Sequence, residues 1–106
     1  MKQPNWLLMD AVISVHGTLV ARHGGSAGVR DRGPLESALA RPQNRFAYED
    51  EATIFDLAAS YTFGLALNHP FVDGNKRIAV TAAAMFLADN GYNLLPEKMD
   101  ALEMIL

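Results

Sequence analysis

Residues 69–77 read HPFVDGNKR, and they separate two long apolar segments, residues 53–68 and 76–90. Both segments are apolar around most of their circumference, as helices in the centre of a protein are. Because Pro70 disfavours the α region for the residue before it, the first helix is predicted to end just before His69. The pattern therefore predicts two buried helices joined by a short loop, around which the rest of the chain must pack.

The start of the second helix carries an unusual charge pattern. Asn75 is predicted as its N-cap, after the turn signal Asp73-Gly74, and two cations, Lys76 and Arg77, then fill its first turn. Cations at this place oppose the helix dipole by roughly 0.3–1 kcal/mol each. Their presence indicates an anion held by the free backbone N–H groups and by both side chains.

Two further side chains of the stretch suit a catalytic site. Asp73 could hold a divalent metal beside such an anion, and His69 could act there as a general base. In the structural alternative, His-Pro and Asp-Gly-Asn are an ordinary helix stop and turn, and Asp73 neutralises Lys76 and Arg77 as a surface ion pair. Residue types and spacing alone do not decide between these two interpretations.

The stretch resembles the signature of the Fic/Doc family, His-x-Phe-x-Asp/Glu-Gly-Asn-x-Arg, and matches it at every specified position. Lys76 stands where many Fic enzymes have Gly, and Val80 stands where they often carry a second Arg. Both departures are typical of the Doc, or death-on-curing, branch of toxins from toxin–antitoxin pairs. Supporting matches lie in residues 30–31, 35–43 and 90–92, so the resemblance covers most of the chain.

The resemblance implies a toxin kinase that moves the γ-phosphate of ATP, or of another nucleoside triphosphate, to a hydroxyl of a translation protein. The implied target is elongation factor Tu, the implied cofactor is Mg²⁺, and the outcome would be arrested translation. An antitoxin that supplies an amphipathic helix is the implied partner. Two alternatives stay open: transfer of a nucleotide monophosphate (AMPylation), as in Fic enzymes, and a non-catalytic module that binds an anion or a peptide.

The resemblance also implies roles for the residues of the stretch. The implied catalytic residues are His69 and Arg77, and the metal ligand is Asp73. The phosphate-binding residues would be Gly74, Asn75, Lys76 and Arg77, while Phe71 would anchor the loop in the core. Lys76 and the missing second Arg disfavour the Fic pose, in which the α-phosphate meets the histidine, and favour a reversed nucleotide.

Composition limits the class of protein. The 106 residues are half hydrophobic, include no cysteine and carry a formal net charge of −3. This suits one domain, residues 1–106, with its own core and no disulfides. The charge argues against a nucleic-acid surface, and the longest apolar run, residues 78–88, is too short to span a membrane. We therefore expect a cytoplasmic protein with no nucleic-acid or membrane partner.

The remaining helices follow from periodicity and from glycine and proline. A helix is predicted for residues 6–23, with Leu8, Val12, Val15 and Leu19 in one apolar row. His16 lies next to that row and is predicted to be a hydrogen-bonded histidine at the edge of the core. Residues 24–28 are rich in glycine but match neither nucleotide-binding fingerprint, so they are predicted to form a mobile loop without a chemical role.

A short helix is predicted for residues 34–40, because Pro42 should prevent its continuation. Residues 43–51 are then expected to be irregular or extended. The resemblance assigns them to the flap of the family, the edge against which a target segment lies. The alternative, which the sequence itself favours, is a plain connector whose aromatic residues Phe46 and Tyr48 cover the core.

A last helix is predicted to open at Pro96-Glu97 and to stop, uncapped and apolar, at Leu106. This indicates a truncated chain or an end that another molecule completes. The fold class is therefore expected to be all-α, a compact Fic/Doc-type bundle of about five or six helices.

Overall fold

Four α-helices make up the regular structure of residues 1–92, the part of the chain that the computed structural model describes. They are α1 (Met9–His23), α2 (Arg32–Tyr48), α3 (Ile54–Asn68) and α4 (Asn75–Asp89). The described residues contain one isolated antiparallel β-bridge and no strand, which confirms the all-α class. The four helices of residues 1–92 are slightly fewer than the five or six expected, and the helix predicted from Pro96 lies outside the described residues.

Helices α3 and α4 form the centre of the fold, as their composition predicts. Thr53 and Asp56 cap the start of α3 reciprocally, since each side chain accepts the backbone N–H of the other residue. The hydroxyl of Thr62 donates to the carbonyl of Ala79 at 2.8 Å and ties α3 to α4. Apolar side chains from both helices then fill the core, among them Leu57, Tyr61, Leu65, Ile78 and Phe86.

The first helix begins later than predicted. Leu8 is its N-cap and is 73% exposed, so its place in the buried row was wrong. The reason is that Leu7 is already inside the core, where its N–H donates to the hydroxyl of Tyr61 at 3.0 Å. Trp6 stacks beside it on Phe86. These contacts require a chain that is still extended before α1.

Pro42 does not stop α2, which continues to Tyr48, so the predicted short helix and irregular segment were both wrong. Burial outweighs the local cost of the missing N–H, because Pro42 is itself buried together with Leu39. Beyond the proline, Arg45 holds the last turn of α2 to α3. Its guanidinium donates to the carbonyl of Asp56 at 3.1 Å.

The assignment of residues 43–51 to the flap is also wrong. Most of them are helical, and the connector that follows lies at the start of α3, whereas His69 follows its end. A helix of 15 residues is about 22 Å long, so this connector is remote from the predicted site. Phe46 meets the edge of Trp6 and covers the core, but Tyr48 is 87% exposed. Within the described part of the chain, no helix is long and apolar enough to cross a bilayer.

Candidate active site

The loop between α3 and α4 begins at a strained residue. His69 follows the last residue of α3, as predicted, and has φ 47° and ψ 54°, the left-handed conformation. Such a conformation costs a residue with a side chain on the order of 1–3 kcal/mol, so surrounding contacts must hold it. The guanidinium of Arg30 donates to the carbonyl of His69 at 2.6 Å. The carbonyl of Pro70 accepts the N–H groups of Arg30 and Asp31 at 2.8 and 3.3 Å.

Arg30 and Asp31 belong to the strap, a name used here for residues 24–31. The strap runs antiparallel to the loop, with a β-bridge between Val29 and Phe71 and a 3.0 Å bond from the N–H of Val72 to the carbonyl of Gly28. It is therefore the strap, and not the connector after α2, that forms an edge along the signature loop.

The glycine-rich part of the strap touches the predicted metal ligand. The N–H of Ser26 donates to Oδ2 of Asp73 at 3.2 Å, and a Cβ atom placed on Gly25 would lie 2.9 Å from the same oxygen. A glycine is thus needed where the chain passes the carboxylate. We expected a mobile loop without a chemical role, and the structure places this segment against the predicted metal ligand. No spacing rule connects Ser26 with Asp73, because 47 positions separate them.

Two residues of the signature face the interior. Phe71 is 1% exposed and lies in the core, where its ring stacks on that of His16 at 3.8 Å between centroids. Asn75 is 8% exposed, and its side-chain amide bonds both the N–H and the carbonyl of Phe71 at 2.9 Å. The N-cap of α4 is Gly74, with φ 71°, and not Asn75 as predicted. The Asn75 side chain is already engaged in closing the loop. The prediction that Asn75 binds phosphate therefore applies only to its backbone N–H.

The remaining polar residues of the signature share an open cleft of about 390 Å³. It is lined by His69, Val72, Asp73, Gly74, Asn75, Lys76 and Arg77. The two carboxylate oxygens of Asp73 accept backbone N–H groups from Gly74 and Ser26. Among the described residues it forms no ion pair with Lys76, so the structure does not support that part of the surface ion-pair interpretation.

The donor set of the cleft fits a magnesium ion brought with phosphates. The described residues contain no group of three or more metal-binding side chains, and Asp73 is the carboxylate of the cleft. Mg²⁺ commonly binds through one or two carboxylates together with substrate phosphates and water, and does not need a full protein cage. Asp73 would be the protein's ligand, beside the start of α4, where the first backbone N–H groups lack partners within the helix.

The cleft thus combines a histidine, a carboxylate and two cations at the start of a helix, a place where anions commonly bind in proteins. Comparison with known proteins identifies the family: the model described as "Fic/DOC family" matches residues 6–87. The chain therefore belongs to the Fic/Doc family, as its resemblance to the signature predicts.

Two curated relatives place the chain near the Doc proteins. It is 37% identical over 93 residues to "Protein kinase doc" of Escherichia phage P1, which covers 86% of this chain and 74% of that protein. It is 46% identical over 72 residues to "Toxin Doc" of Mycolicibacterium smegmatis, which covers 67% of this chain and 55% of that protein. The chain thus spans part of the length of each relative.

Proposed function

We propose that the protein is a Doc-like toxin kinase that moves the γ-phosphate of a nucleoside triphosphate to a protein hydroxyl. The observation that carries the proposal is the cleft itself, which gathers His69 at the end of α3 with Asp73, Lys76 and Arg77 around the start of α4. Anion binding alone would need neither a histidine nor a carboxylate. The name of the phage relative, a protein kinase, supports phosphate transfer over the alternatives.

The proposed reaction assigns each residue of the cleft one task. His69 accepts the proton of the acceptor hydroxyl, whose oxygen then bonds to the γ-phosphorus. The bond from that phosphorus to the bridging oxygen of the β-phosphate breaks, and the nucleoside diphosphate leaves. Lys76, Arg77 and the backbone N–H groups at the start of α4 stabilise the charge on the phosphate oxygens. Mg²⁺, held by Asp73, would neutralise further charge on the phosphates.

Two positions favour the γ-phosphate over the α-phosphate. Lys76 is exposed and lines the cleft. A long cation at this position would occupy space that an inner phosphate needs. Val80, at the position of a second Arg in many Fic enzymes, is 5% exposed and offers no charge. Both features disfavour the pose needed for AMPylation. We propose that the substrate is a translation protein, with elongation factor Tu as the first candidate.

Two radiolabels on ATP test the proposal. Purified protein is incubated with Mg²⁺ and a cell extract, and the labelled protein is identified by mass spectrometry. Label at the γ-phosphate should reach the target, and label at the α-phosphate should not. The His69→Ala protein should transfer neither, whereas His23→Ala, a change of an exposed histidine outside the cleft, should transfer normally. Transfer of the α-label would indicate AMPylation, and no transfer of either label would indicate a binding module.

We also propose an antitoxin partner that contributes an amphipathic helix. One relative is named a toxin, and toxins of this kind need restraint. Phe55, Phe63 and Leu67 on α3 are 57%, 54% and 66% exposed, and their spacing places them along one side of that helix. An apolar row of this kind suits the apolar face of a partner helix. Co-expression with the adjacent reading frame should restore growth and give a stable complex, which Phe63→Asp with Leu67→Asp should weaken.

A further inference from the structure

His16 is a buried polar residue on α1 that contacts the signature loop. It is 2% exposed, which confirms a hydrogen-bonded histidine at the core. Its partner is the backbone carbonyl of Asp73, 2.7 Å from Nε2. Because a carbonyl oxygen only accepts, Nε2 must carry the hydrogen and donate it. The contact joins α1 to the centre of the candidate site, across 57 positions of sequence.

The same imidazole supports the loop at two more points. Its ring is nearly parallel to that of Phe71, with an angle of 14° and 3.8 Å between centroids. It also lies under the turn, since a Cβ atom placed on Gly74 would be 3.6 Å from Nε2. Cγ2 of Val20, one turn further along α1, would be 3.8 Å from the same added Cβ atom. Helix α1 therefore forms the floor beneath residues 71–74.

The bond from His16 sets the direction of one peptide plane. In a trans peptide the C=O and the N–H point in opposite directions. When His16 holds the carbonyl of Asp73 towards the interior, the N–H of Gly74 in the same peptide must point outward. There it donates to Oδ1 of the Asp73 carboxylate at 3.2 Å. The buried imidazole thus helps to fix both the left-handed turn at Gly74 and the orientation of the Asp73 carboxylate.

We propose that His16 is a positioning residue for the phosphate-binding turn and for the predicted metal ligand. It touches no reacting atom and acts through the 73–74 peptide. The proposal rests on the proposed function, since the turn and the carboxylate matter as parts of a phosphoryl-transfer site. A purely structural histidine would contribute to stability alone, so stability and site geometry must be measured separately.

Three variants make that separation. His16→Gln keeps an N–H donor of similar reach, whereas His16→Phe keeps a flat ring against Phe71 and loses the donor. Val12→Ala shortens a buried side chain of the same helix, one turn before His16. It serves as the control for a general loss of stability.

We expect His16→Phe to lower kcat for phosphoryl transfer about tenfold to a hundredfold, because small misplacements of positioned groups cost this much. KM for the acceptor protein should change little. His16→Gln should recover most of the rate, and Val12→Ala should keep it despite a lower melting temperature. The amide resonance of Gly74 in a ¹H–¹⁵N spectrum should move in His16→Phe and stay near its place in the other two variants.

The outcomes distinguish this inference from the proposed function. If the wild-type protein transfers no phosphate, the proposed function fails, and the Gly74 resonance together with a Mg²⁺ titration of the Asp73 signals still tests the inference. Unchanged kcat and an unchanged Gly74 resonance in His16→Phe would overturn it. If that variant does not fold, the position of the hydrogen on the His16 ring of the wild-type protein is the test. Hydrogen on Nε2 is expected, and a neutral ring with hydrogen on Nδ1 alone would exclude donation to Asp73.

Discussion

The side-chain amide of Asn75 closes the signature loop on the backbone of Phe71. Its oxygen accepts the N–H of Phe71 and its nitrogen donates to the carbonyl of Phe71, each at 2.9 Å. Both residues are buried, so water cannot replace either bond at no cost. The asparagine of the signature therefore shapes the loop from inside, while its neighbours along the chain line the cleft.

The first prediction follows from that pair of bonds. Asn75→Ala leaves one buried donor and one buried acceptor of Phe71 without partners, and each such group costs roughly 1–3 kcal/mol. The free energy of unfolding, measured by urea denaturation, should therefore fall by about 2–6 kcal/mol for the two groups together. Phosphoryl transfer should fall as well, because the loop loses its closure.

Asn90→Ala is the matched control for this prediction. Asn90 makes the same pair of bonds with the backbone of Asn5, at 2.8 and 3.0 Å, but those bonds are exposed and remote from the signature loop. Water can replace them, so the loss of stability should be smaller and transfer should continue. Equal losses in the two variants would contradict the argument from burial.

Local patterns predict the centre of the fold because their causes are local. Pro70 ends α3 before His69, and the two apolar segments on either side are long enough to define buried helices. The signature then places its polar residues in one cleft because a short loop between packed helices leaves them little freedom. The sequence thus predicts the helix pair and the membership of the cleft.

What the sequence does not predict depends on distant partners. Helix α2 passes Pro42 because α3 receives its buried face and because Arg45 reaches Asp56 across 11 positions. The contact of Ser26 with Asp73 joins segments on opposite sides of two helices in sequence. Neither contact produces a periodic pattern in the sequence, so both can be identified only in the folded structure.

The second prediction concerns the glycine beside the carboxylate. In Gly25→Ala the new Cβ would lie 2.9 Å from Oδ2 of Asp73, and φ of 109° adds backbone strain. The carboxylate must turn away, so the Mg²⁺ concentration for half-maximal transfer should rise. Gly24→Ala is the control, since Gly24 also has positive φ but nothing within 4 Å of its added Cβ.

Asp73→Ala should remove the response to Mg²⁺ altogether, and a preserved response would make Asp73 only a turn residue.

The third prediction compares two helix glycines. A Cβ placed on Gly64 of α3 would lie 3.1 Å from the backbone of Ala38, so α2 and α3 pack at this point through the missing side chain. Gly64→Ala should therefore lower the free energy of unfolding by about 1–3 kcal/mol, the usual cost of overpacking. Gly17→Ala on α1 meets nothing within 4 Å and should raise it by about 0.5–1 kcal/mol. Stabilisation by both changes would show that α2 can move away without cost.

The fourth prediction concerns acid. The pKa of Asp56 is lowered chiefly by the N–H of Thr53, which donates to the Asp56 carboxylate. The Thr53 hydroxyl of the reciprocal cap and the charge of Arg45 lower the pKa further. A carboxyl whose pKa is lower in the folded protein than in the unfolded chain, about 4, stabilises the fold above that pH. The stabilisation is lost as pH falls through the folded pKa, when the carboxyl is protonated in both states. Wild-type stability should therefore decline below about pH 4.

Asp56→Asn isolates the charge in this argument, because an amide oxygen can still accept the N–H of Thr53 but cannot titrate. Its free energy of unfolding should be lower than that of the wild type at pH 7, and the difference should shrink as pH falls below about 4. Urea denaturation of both proteins at several pH values measures this difference, and a difference for Asp56→Asn that stays constant with pH would contradict the assigned role of the capping charge.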